Sequence, residues 1–249
     1  MAKRPATTKA TTCTKQWFAA LLSHDPELSA LRAEYALKTP AERRAAAEWV
    51  YDESIANSLF EAAVARLEGQ PAPAPRWPPG FAALAIDPEF APALLSVGSH
   101  EYSSGRQTEG MRLLLQLTQL SPDTTDWIEI IDKAGQSLMD AGDAPGTCRL
   151  YEAALKARPG EQEFIIGIGW ALCRAGKQNE ALPWLERAVA NDPNNSSVLS
   201  DYGWGLTELG RFDEAQKALE KAILLAPAAY KLPVNNLKRL RHLRKSAQP

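Results

Sequence analysis

The chain has 249 residues, of which 45% are hydrophobic and 23% are charged, and its formal net charge is −2. This composition excludes a disordered chain and a collagen-like chain, and it indicates a globular or repeat protein of one or two domains. The three cysteines, Cys13, Cys148 and Cys173, form no C-x-x-C pair, which argues against both a disulfide framework and a zinc finger.

The charges are unevenly distributed along the chain. All 30 acidic residues lie between Asp25 and Glu220, so both ends of the chain are basic. Such asymmetry favours electrostatic contacts by the ends but identifies no ligand. No apolar run follows the polar N-terminus, and none reaches the roughly 18 residues of a membrane-spanning helix. Together with the unpaired cysteines, this pattern predicts a cytoplasmic protein.

The first 80 residues are predicted to form a tail, a helical arm and a connector. Residues 1–15 are polar and basic, and we expect them to be disordered. Residues 16–69 are predicted to be the helical arm, which joins the rest of the chain without forming a catalytic domain of its own. Residues 70–80 contain Pro71, Pro73, Pro75, Pro78 and Pro79, which predicts a stiff, extended connector.

Two helices are expected within the arm. A short one is predicted for residues 23–38, with Pro26 in its first turn. A long one begins at Thr39-Pro40-Ala41-Glu42, which has the pattern of a capping box with proline at the first helical position, and it ends near Gly69. Apolar residues form a stripe along this long helix: Trp49, Ala56, Leu59, Phe60, Ala63 and Leu67.

Residues 81–229 contain a register that repeats about every 34 residues. Prolines mark it at intervals of 34, 37, 34 and 34: Pro88, Pro122, Pro159, Pro193 and Pro227. One glycine stands seventeen residues before each of the last four prolines, and another stands twenty-four before: Gly105, Gly142, Gly176 and Gly210, and Gly98, Gly135, Gly169 and Gly203. Apolar residues recur between them at three- and four-residue spacing. This register predicts two helices per repeat, joined by a tight turn.

The two glycine columns are predicted to serve different purposes. Gly176 and its equivalents follow the first helix, where a left-handed cap favours glycine. Gly169 and its equivalents lie inside the first helix, where glycine costs about 1 kcal/mol relative to alanine. We attribute this repeated cost to a close approach of neighbouring helices. Each proline is expected to end the second helix, since the residue before a proline disfavours the helical region.

The residues in this register resemble the tetratricopeptide repeat family. The resemblance is carried by Gly169, Leu172, Gly176, Ala181, Leu185, Ala188 and Pro193, and by Gly203, Leu206, Gly210, Ala215, Ala222 and Pro227. The two earlier repeats depart from the family pattern. Pro145 and Thr147 interrupt one of them, and Glu101 stands in the other where later repeats have leucine.

The resemblance implies the fold class and its boundaries. It implies an all-α, right-handed α-solenoid of about four helix-turn-helix repeats, with an N-terminal helical arm and a C-terminal capping helix. The repeats would lie near residues 91–124, 128–161, 162–195 and 196–229.

Residues 230–249 are predicted to form the basic capping helix and tail. Within the helix, Leu237 and Leu240 are apolar, and the basic residues are Lys238, Arg239, Arg241, Arg244 and Lys245. A solenoid needs a last helix with a solvated outer face, and cations are favourable near a helix C-terminus. The same basic face is also a candidate contact for nucleic acid or for an acidic partner.

The resemblance also implies a concave groove, lined by the first helices of successive repeats, that binds a peptide or a partner helix. Trp170 and Trp204 occupy the column after the buried glycines, so they are the principal anchor candidates. The alternative is that a neighbouring helix covers them. The remaining groove candidates are Gln136, Tyr102, Asp132, Ile166, Arg174, Ser200 and Asp201. The acids among them favour a basic or apolar segment as the ligand.

Catalytic and cofactor motifs are absent from the sequence. It contains no G-x-x-x-x-G-K-[ST], H-E-x-x-H or G-x-S-x-G pattern, and Gly167-x-Gly169 and Gly203-x-Gly205 lack the third glycine of a phosphate loop. The sequence therefore predicts a protein that is not an enzyme and that has no cofactor and no metal site.

The function predicted from these observations is that of an interaction scaffold or adaptor, which binds a peptide or protein segment in the groove. Two alternatives remain open. One is a dedicated chaperone for a specific client. The other is a nucleic-acid-associated dimer that acts through the basic C-terminal helix, although nucleic acid is the less favoured partner. Self-association of the chain is compatible with either function.

Overall fold

The computed structural model describes residues 25–67, 69, 80–122 and 126–246. Within them the secondary structure consists of twelve α-helices and no strand, which confirms the all-α prediction. No helix in these segments is long and apolar enough to cross a membrane. The expected tail and most of the expected connector lie outside the described residues.

The chain divides into two compact units, the first ending at Leu117 and the second beginning at Thr118. The helices of the first unit are α1 (Pro26–Tyr35), α2 (Pro40–Leu67), α3 (Phe81–Ile86), α4 (Ala91–Ser103) and α5 (Gln107–Leu117). The helices of the second are α6 (Trp127–Asp140), α7 (Ala144–Ala157), α8 (Gln162–Arg174), α9 (Gln178–Asn191), α10 (Ser196–Glu208), α11 (Phe212–Leu225) and α12 (Leu232–Ser246).

Local capping defines the starts of α1 and α2. The Asp25 carboxylate accepts hydrogen bonds from the backbone N–H groups of Glu27 and Leu28 at 3.0 and 3.1 Å. At α2, the Thr39 backbone N–H donates to the Glu42 carboxylate at 2.8 Å, and the Glu42 N–H donates to the Thr39 hydroxyl at 3.3 Å. This reciprocal pair is the predicted capping box, and it satisfies two donors that a helix start would otherwise leave free.

The short helix α3 lies at the centre of the first unit. All but one of its residues are buried, and α1, α2 and α4 all pack against it. On α2, Arg44 pairs with Asp87 at 2.5 Å, and the ring of Tyr51 meets that of Phe90 edge to face with centroids 5.6 Å apart. These contacts hold the first half of α2 against α3 and the residues that follow it.

Large apolar side chains lie on the outward face of α2. Its buried and half-buried side includes the small residues Ala47, Ser54, Ser58 and Ala65. Three large apolar residues of the predicted stripe face away: Trp49 is 65% exposed, Leu59 is 67% exposed and Phe60 is 70% exposed. The helix therefore packs on the rest of the unit through the side opposite the stripe.

The second unit is built from helical hairpins that pack in chain order. The pairs α6–α7, α8–α9 and α10–α11 form the hairpins, and α12 packs against both α10 and α11. Each hairpin turn contains a glycine with positive φ, as at Gly176 and Gly210, both at +74°. The following residue closes the turn, since the Lys177 backbone N–H donates to the Leu172 carbonyl at 2.9 Å. This is the helix end that the glycine column predicts.

The glycines inside the first helices face a large side chain of their partner helix. A Cβ atom added at Gly169 would lie 2.7 Å from Leu185, and one added at Gly203 would lie 2.5 Å from Leu219. The close approach inferred from the repeated glycine is therefore present in the structure. Glycine has a lower helix propensity than alanine, and this cost is offset because a leucine side chain of the partner helix packs directly on the glycine backbone.

The last helix, α12, completes the core of the second unit. Leu237 and Leu240 are buried with Leu206 and Leu219. A hairpin at the end of an array has an uncovered apolar side, and α12 covers it while keeping its polar side in solvent. The predicted capping role of this helix thus has a visible packing basis.

Candidate functional site

The predicted groove residues of the second unit lie on α6, α8 and α10, the first helices of three consecutive hairpins. Helix α8 packs against both α6 and α10, so these three helices form a continuous row. Tyr102 lies on α4 in the first unit and is only 7% exposed.

Two tryptophans in equivalent positions lie on neighbouring helices of this row. Trp170 on α8 and Trp204 on α10 are each half-buried. The guanidinium of Arg174 lies 5.7 Å above the ring of Trp170, a distance typical of a cation–π contact. Ile166, one turn earlier on α8, is also half-buried. Both tryptophans therefore combine a packed part with a part open to solvent.

The polar groove candidates on α6 are exposed and bonded to their neighbours. The hydroxyl of Tyr151, on α7, donates to the carboxylate of Asp132 at 3.0 Å. The amide of Gln136 donates to the carboxylate of Asp140 at 3.0 Å. These two acids keep their remaining acceptor capacity toward solvent, which gives this end of the row an acidic character.

Two predicted groove residues on α10 are buried. Ser200 is fully buried, and its hydroxyl oxygen lies 3.0 Å from the side-chain amide of Asn236 on α12, which donates to it. Asp201 is 9% exposed and has no hydrogen bond or ion pair with any other described residue. Burial raises the pKa of this carboxyl to about 7. Neither side chain contributes appreciably to the open surface, which consists of the tryptophans, Ile166, Arg174 and the polar residues of α6.

The basic face of α12 is partly used in ion pairs with the hairpin before it. Arg239 pairs with Glu208 on α10 at 2.6 Å, and Arg244 pairs with Asp213 on α11 at 2.8 Å. Lys238, Arg241 and Lys245 are exposed. Two of the five basic residues therefore hold the capping helix in place.

A cavity of about 540 Å³ lies outside the predicted groove, between α7 and α9. Ala144, Cys148 and Leu172 form its apolar part, and it is also lined by Pro145, Arg149, Glu152, Ala175, Lys177, Glu180 and Trp184. Burial raises the pKa of the Cys148 thiol to about 11, so this cysteine is protonated at neutral pH. Sequence reasoning missed this cavity; the available signal was Trp184, an aromatic residue outside the repeated apolar columns.

Among the described residues, no group of three or more histidine, cysteine or carboxylate side chains is placed to hold a metal ion. Cys173, like Cys148, is buried, and burial with the nearby charges of Asp201 and Glu208 raises its pKa to about 12. Neither thiol therefore has the low pKa that nucleophilic cysteines need.

The row of helical hairpins and the sequence register together define a helical-hairpin repeat protein. Residues 133–196 match a family model described as tetratricopeptide repeat, and residues 175–232 match a second model with the same description. Residues 133–232 therefore carry tetratricopeptide repeats. A search of curated proteins found no match.

Several solved structures are similar in fold at low sequence identity. The first tetratricopeptide repeat domain of human RPAP3 is 20% identical, with a TM-score of 0.44, and the match covers 48% of this chain and 93% of that one. The Sgt2 domain from Aspergillus fumigatus is 20% identical, with a TM-score of 0.46, covering 49% and 82%. MamA from Desulfovibrio magneticus RS-1 is 19% identical, with a TM-score of 0.44, covering 64% and 97%.

Proposed function

We propose that this protein is a non-catalytic interaction scaffold whose second unit binds a segment of another protein along α6, α8 and α10. The observation that carries the proposal is the position of Trp170 and Trp204. They occupy equivalent places on adjacent helices, and each keeps part of its ring open to solvent. Large aromatic side chains of this kind supply much of the binding energy at protein interfaces.

The chemistry around the tryptophans favours a basic or apolar segment as the ligand. Asp132 and Asp140 are exposed on α6, and Ile166 adds an apolar contact on α8. An extended segment that lies across the row would place its apolar side chains on the tryptophans and its basic side chains near α6. Arg174, which lies over Trp170, would move aside or stack on the ligand.

Two more specific versions of this function use the same surface. A general adaptor would hold a segment of a folded partner, whereas a dedicated chaperone would hold one client until that client assembles.

The basic face of α12 is a weaker basis for nucleic-acid binding, because Arg239 and Arg244 already pair with acids of the same unit.

A site-specific crosslinking experiment tests the proposal. A photoreactive phenylalanine analogue is placed at position 170 or at position 184, and the purified protein is irradiated in a native lysate. Trp184 is the matched control. Like Trp170 it is half-buried, and the guanidinium of Arg187 lies 5.9 Å from its ring centroid, but Trp184 lies on α9, outside the proposed binding surface. We expect one discrete crosslinked protein from position 170 and none from position 184.

A binding measurement with the captured protein completes the test. We expect Trp170→Ala/Trp204→Ala to weaken binding by at least tenfold and Trp184→Ala to leave it unchanged, with the folding of each variant checked by circular dichroism. Equal binding by all three proteins would contradict the proposed site.

A further inference from the structure

Among the described residues of the first unit, the apolar stripe on α2 is the largest group of exposed apolar side chains. Trp49, Ala56, Leu59, Phe60 and Ala63 fall within a sector of roughly 100° of the helix, and all five are exposed. Soluble proteins scatter single apolar residues on their surfaces, but a contiguous stripe of large ones marks an interaction site. The scaffold function proposed above makes no use of this helix.

We propose that the α2 stripe is a self-association surface that pairs with α2 of a second copy of this chain, antiparallel, about a two-fold axis near Leu59 and Phe60. A two-fold interface brings the same patch of both copies together, so the patch must be complementary to itself. In this register Leu59 of one copy lies beside Leu59 of the other, Phe60 lies beside Phe60, and Ala56 meets Ala63. The large residues meet at the axis and the small ones allow the helices to approach beside it.

Two charged residues fit the same register: Asp52, which lies within the sector of the stripe, and Arg66, which lies about 20° outside it. Asp52 of one copy lies within one residue of the level of Arg66 of the other, on the same side of the helix pair. Both side chains are exposed, and neither forms an ion pair with another described residue. The symmetry gives two such pairs, one on each side of the axis. A parallel arrangement would instead place Asp52 beside Asp52 and Arg66 beside Arg66, and like charges at that distance oppose each other.

The area available is that of a weak dimer. In this register Trp49 lies beyond the end of the partner's α2, so the buried area comes from Leu59, Phe60 and the residues around them. Leu59 is 67% exposed and Phe60 is 70% exposed, and an aromatic side chain buries roughly 150–250 Å² when fully enclosed. The two copies therefore bury less than the roughly 1,000 Å² of a stable interface, which fits association at about 10 to 100 μM.

Sedimentation equilibrium of the full chain tests the proposal, with wild type at about 10 to 100 μM. We expect a monomer–dimer equilibrium in this range, and we expect Leu59→Glu to shift the dissociation constant by at least tenfold toward monomer. Leu224→Glu is the matched control, since Leu224 is 85% exposed on α11 and lies outside the stripe. Its dissociation constant should equal that of wild type.

A charge exchange tests the antiparallel register itself. Asp52→Arg and Arg66→Asp should each weaken the dimer several-fold, because each places like charges together. The double variant Asp52→Arg/Arg66→Asp should return the dissociation constant close to that of wild type. If the double variant dimerises as weakly as the two single changes predict when their effects on the dissociation constant are combined, the proposed register is wrong.

A monomeric wild type at 100 μM would overturn the proposal, as would a dimer that Leu59→Glu leaves intact. In a monomer, thiol labelling of Phe60→Cys would identify the occupant of the stripe. Rapid labelling would mean that the stripe is free, and slow labelling would mean that another segment of the same chain covers it.

Discussion

On α7, Tyr151 fills the space that a side chain at position 135 of α6 would need. A Cβ atom added at Gly135 would overlap the phenol ring and its hydroxyl. The same ring stacks on Phe164 with centroids 5.4 Å apart, and its hydroxyl donates to Asp132. The equivalent residues of the next two hairpins are Leu185 and Leu219. This repeat therefore has a tyrosine where they have leucine, and the tyrosine also bonds to the partner helix.

This contact predicts that Gly135→Ala destabilises the protein. Overpacking of a filled core costs typically 1–3 kcal/mol, and the overlap with both the ring and the hydroxyl of Tyr151 places this change at about 2–3 kcal/mol. The better helix propensity of alanine returns roughly 1 kcal/mol. We therefore expect a net loss of about 1–2 kcal/mol in the free energy of unfolding, measured by urea denaturation. The loss should shrink in a Tyr151→Leu background, because the overlapping ring atoms are gone.

Gly160→Ala is the control for this pair. Position 160 has no neighbour within 4 Å of an added Cβ, and its φ lies outside the positive range. A change there should stay within about 0.5 kcal/mol. A Gly135→Ala variant as stable as Gly160→Ala would mean that the two helices are further apart than described.

Glu101 is a second position where one repeat departs from the others, and it predicts a charge-dependent loss of stability. Its side chain is fully buried and accepts two hydrogen bonds from the Arg106 guanidinium, one of them at 2.6 Å. Arg106→Ala leaves the carboxylate buried without this partner. Losses of 3–5 kcal/mol are usual for a broken buried pair, and the partial exposure of Arg106 reduces the expected loss to about 2–3 kcal/mol.

Replacing Glu101 by leucine should restore the stability that Arg106→Ala loses. Leucine occupies the equivalent position in later repeats, so Glu101→Leu/Arg106→Ala should be more stable than Arg106→Ala, and close to wild type, in thermal unfolding. If the double variant is the less stable of the two, the buried pair is not what Arg106 supports.

These two positions show how far sequence reasoning extends in this protein. Turn glycines such as Gly176 and helix-ending prolines such as Pro193 act locally, so their spacing predicts the hairpins without knowledge of the fold. Glu101 stands where later repeats have leucine, so the sequence shows that this position is unusual. Its burial as a charged residue depends on the pairing with Arg106, which the repeat pattern does not indicate.

The orientation of α2 and the burial of Asp201 could not be read from the sequence for a related reason. The periodicity along α2 locates the apolar stripe but does not state which side of the helix meets α3. Asp201 is a groove candidate by its register, and its burial depends on the helices that pack against α10. Both outcomes depend on neighbouring helices, which one sequence read in isolation does not position.

The capping role of α12 predicts a clear contrast between its two faces. Leu240 is fully buried, and Lys238 is exposed on the other side of the same helix. Leu240→Ala should cost about 2–5 kcal/mol in the free energy of unfolding, because it leaves a cavity. Lys238→Ala should stay within about 0.5 kcal/mol of wild type. Equal effects of the two changes in urea denaturation would contradict the packing of α12 on α10 and α11.

The buried carboxyl of Asp201 makes a contribution to stability that falls as the pH rises from about 4 to 7. Its pKa is raised to about 7 in the folded protein, from 3.8, because burial disfavours the charged form. Below pH 4 the group is protonated in both states and has no effect. Between pH 4 and 7 only the unfolded chain releases the proton, so unfolding becomes easier with each increment of pH. Above pH 7 the penalty is complete.

Asp201→Asn should remove this dependence, because the amide does not ionise. We expect the variant and wild type to have similar stability at pH 4, and the variant to be more stable at pH 8 by roughly 1–3 kcal/mol. Asp192→Asn, at an exposed helix end, should keep the slope of wild type. A stability difference between wild type and Asp201→Asn that does not change from pH 4 to 8 would mean that the carboxylate is solvated or paired in the folded state.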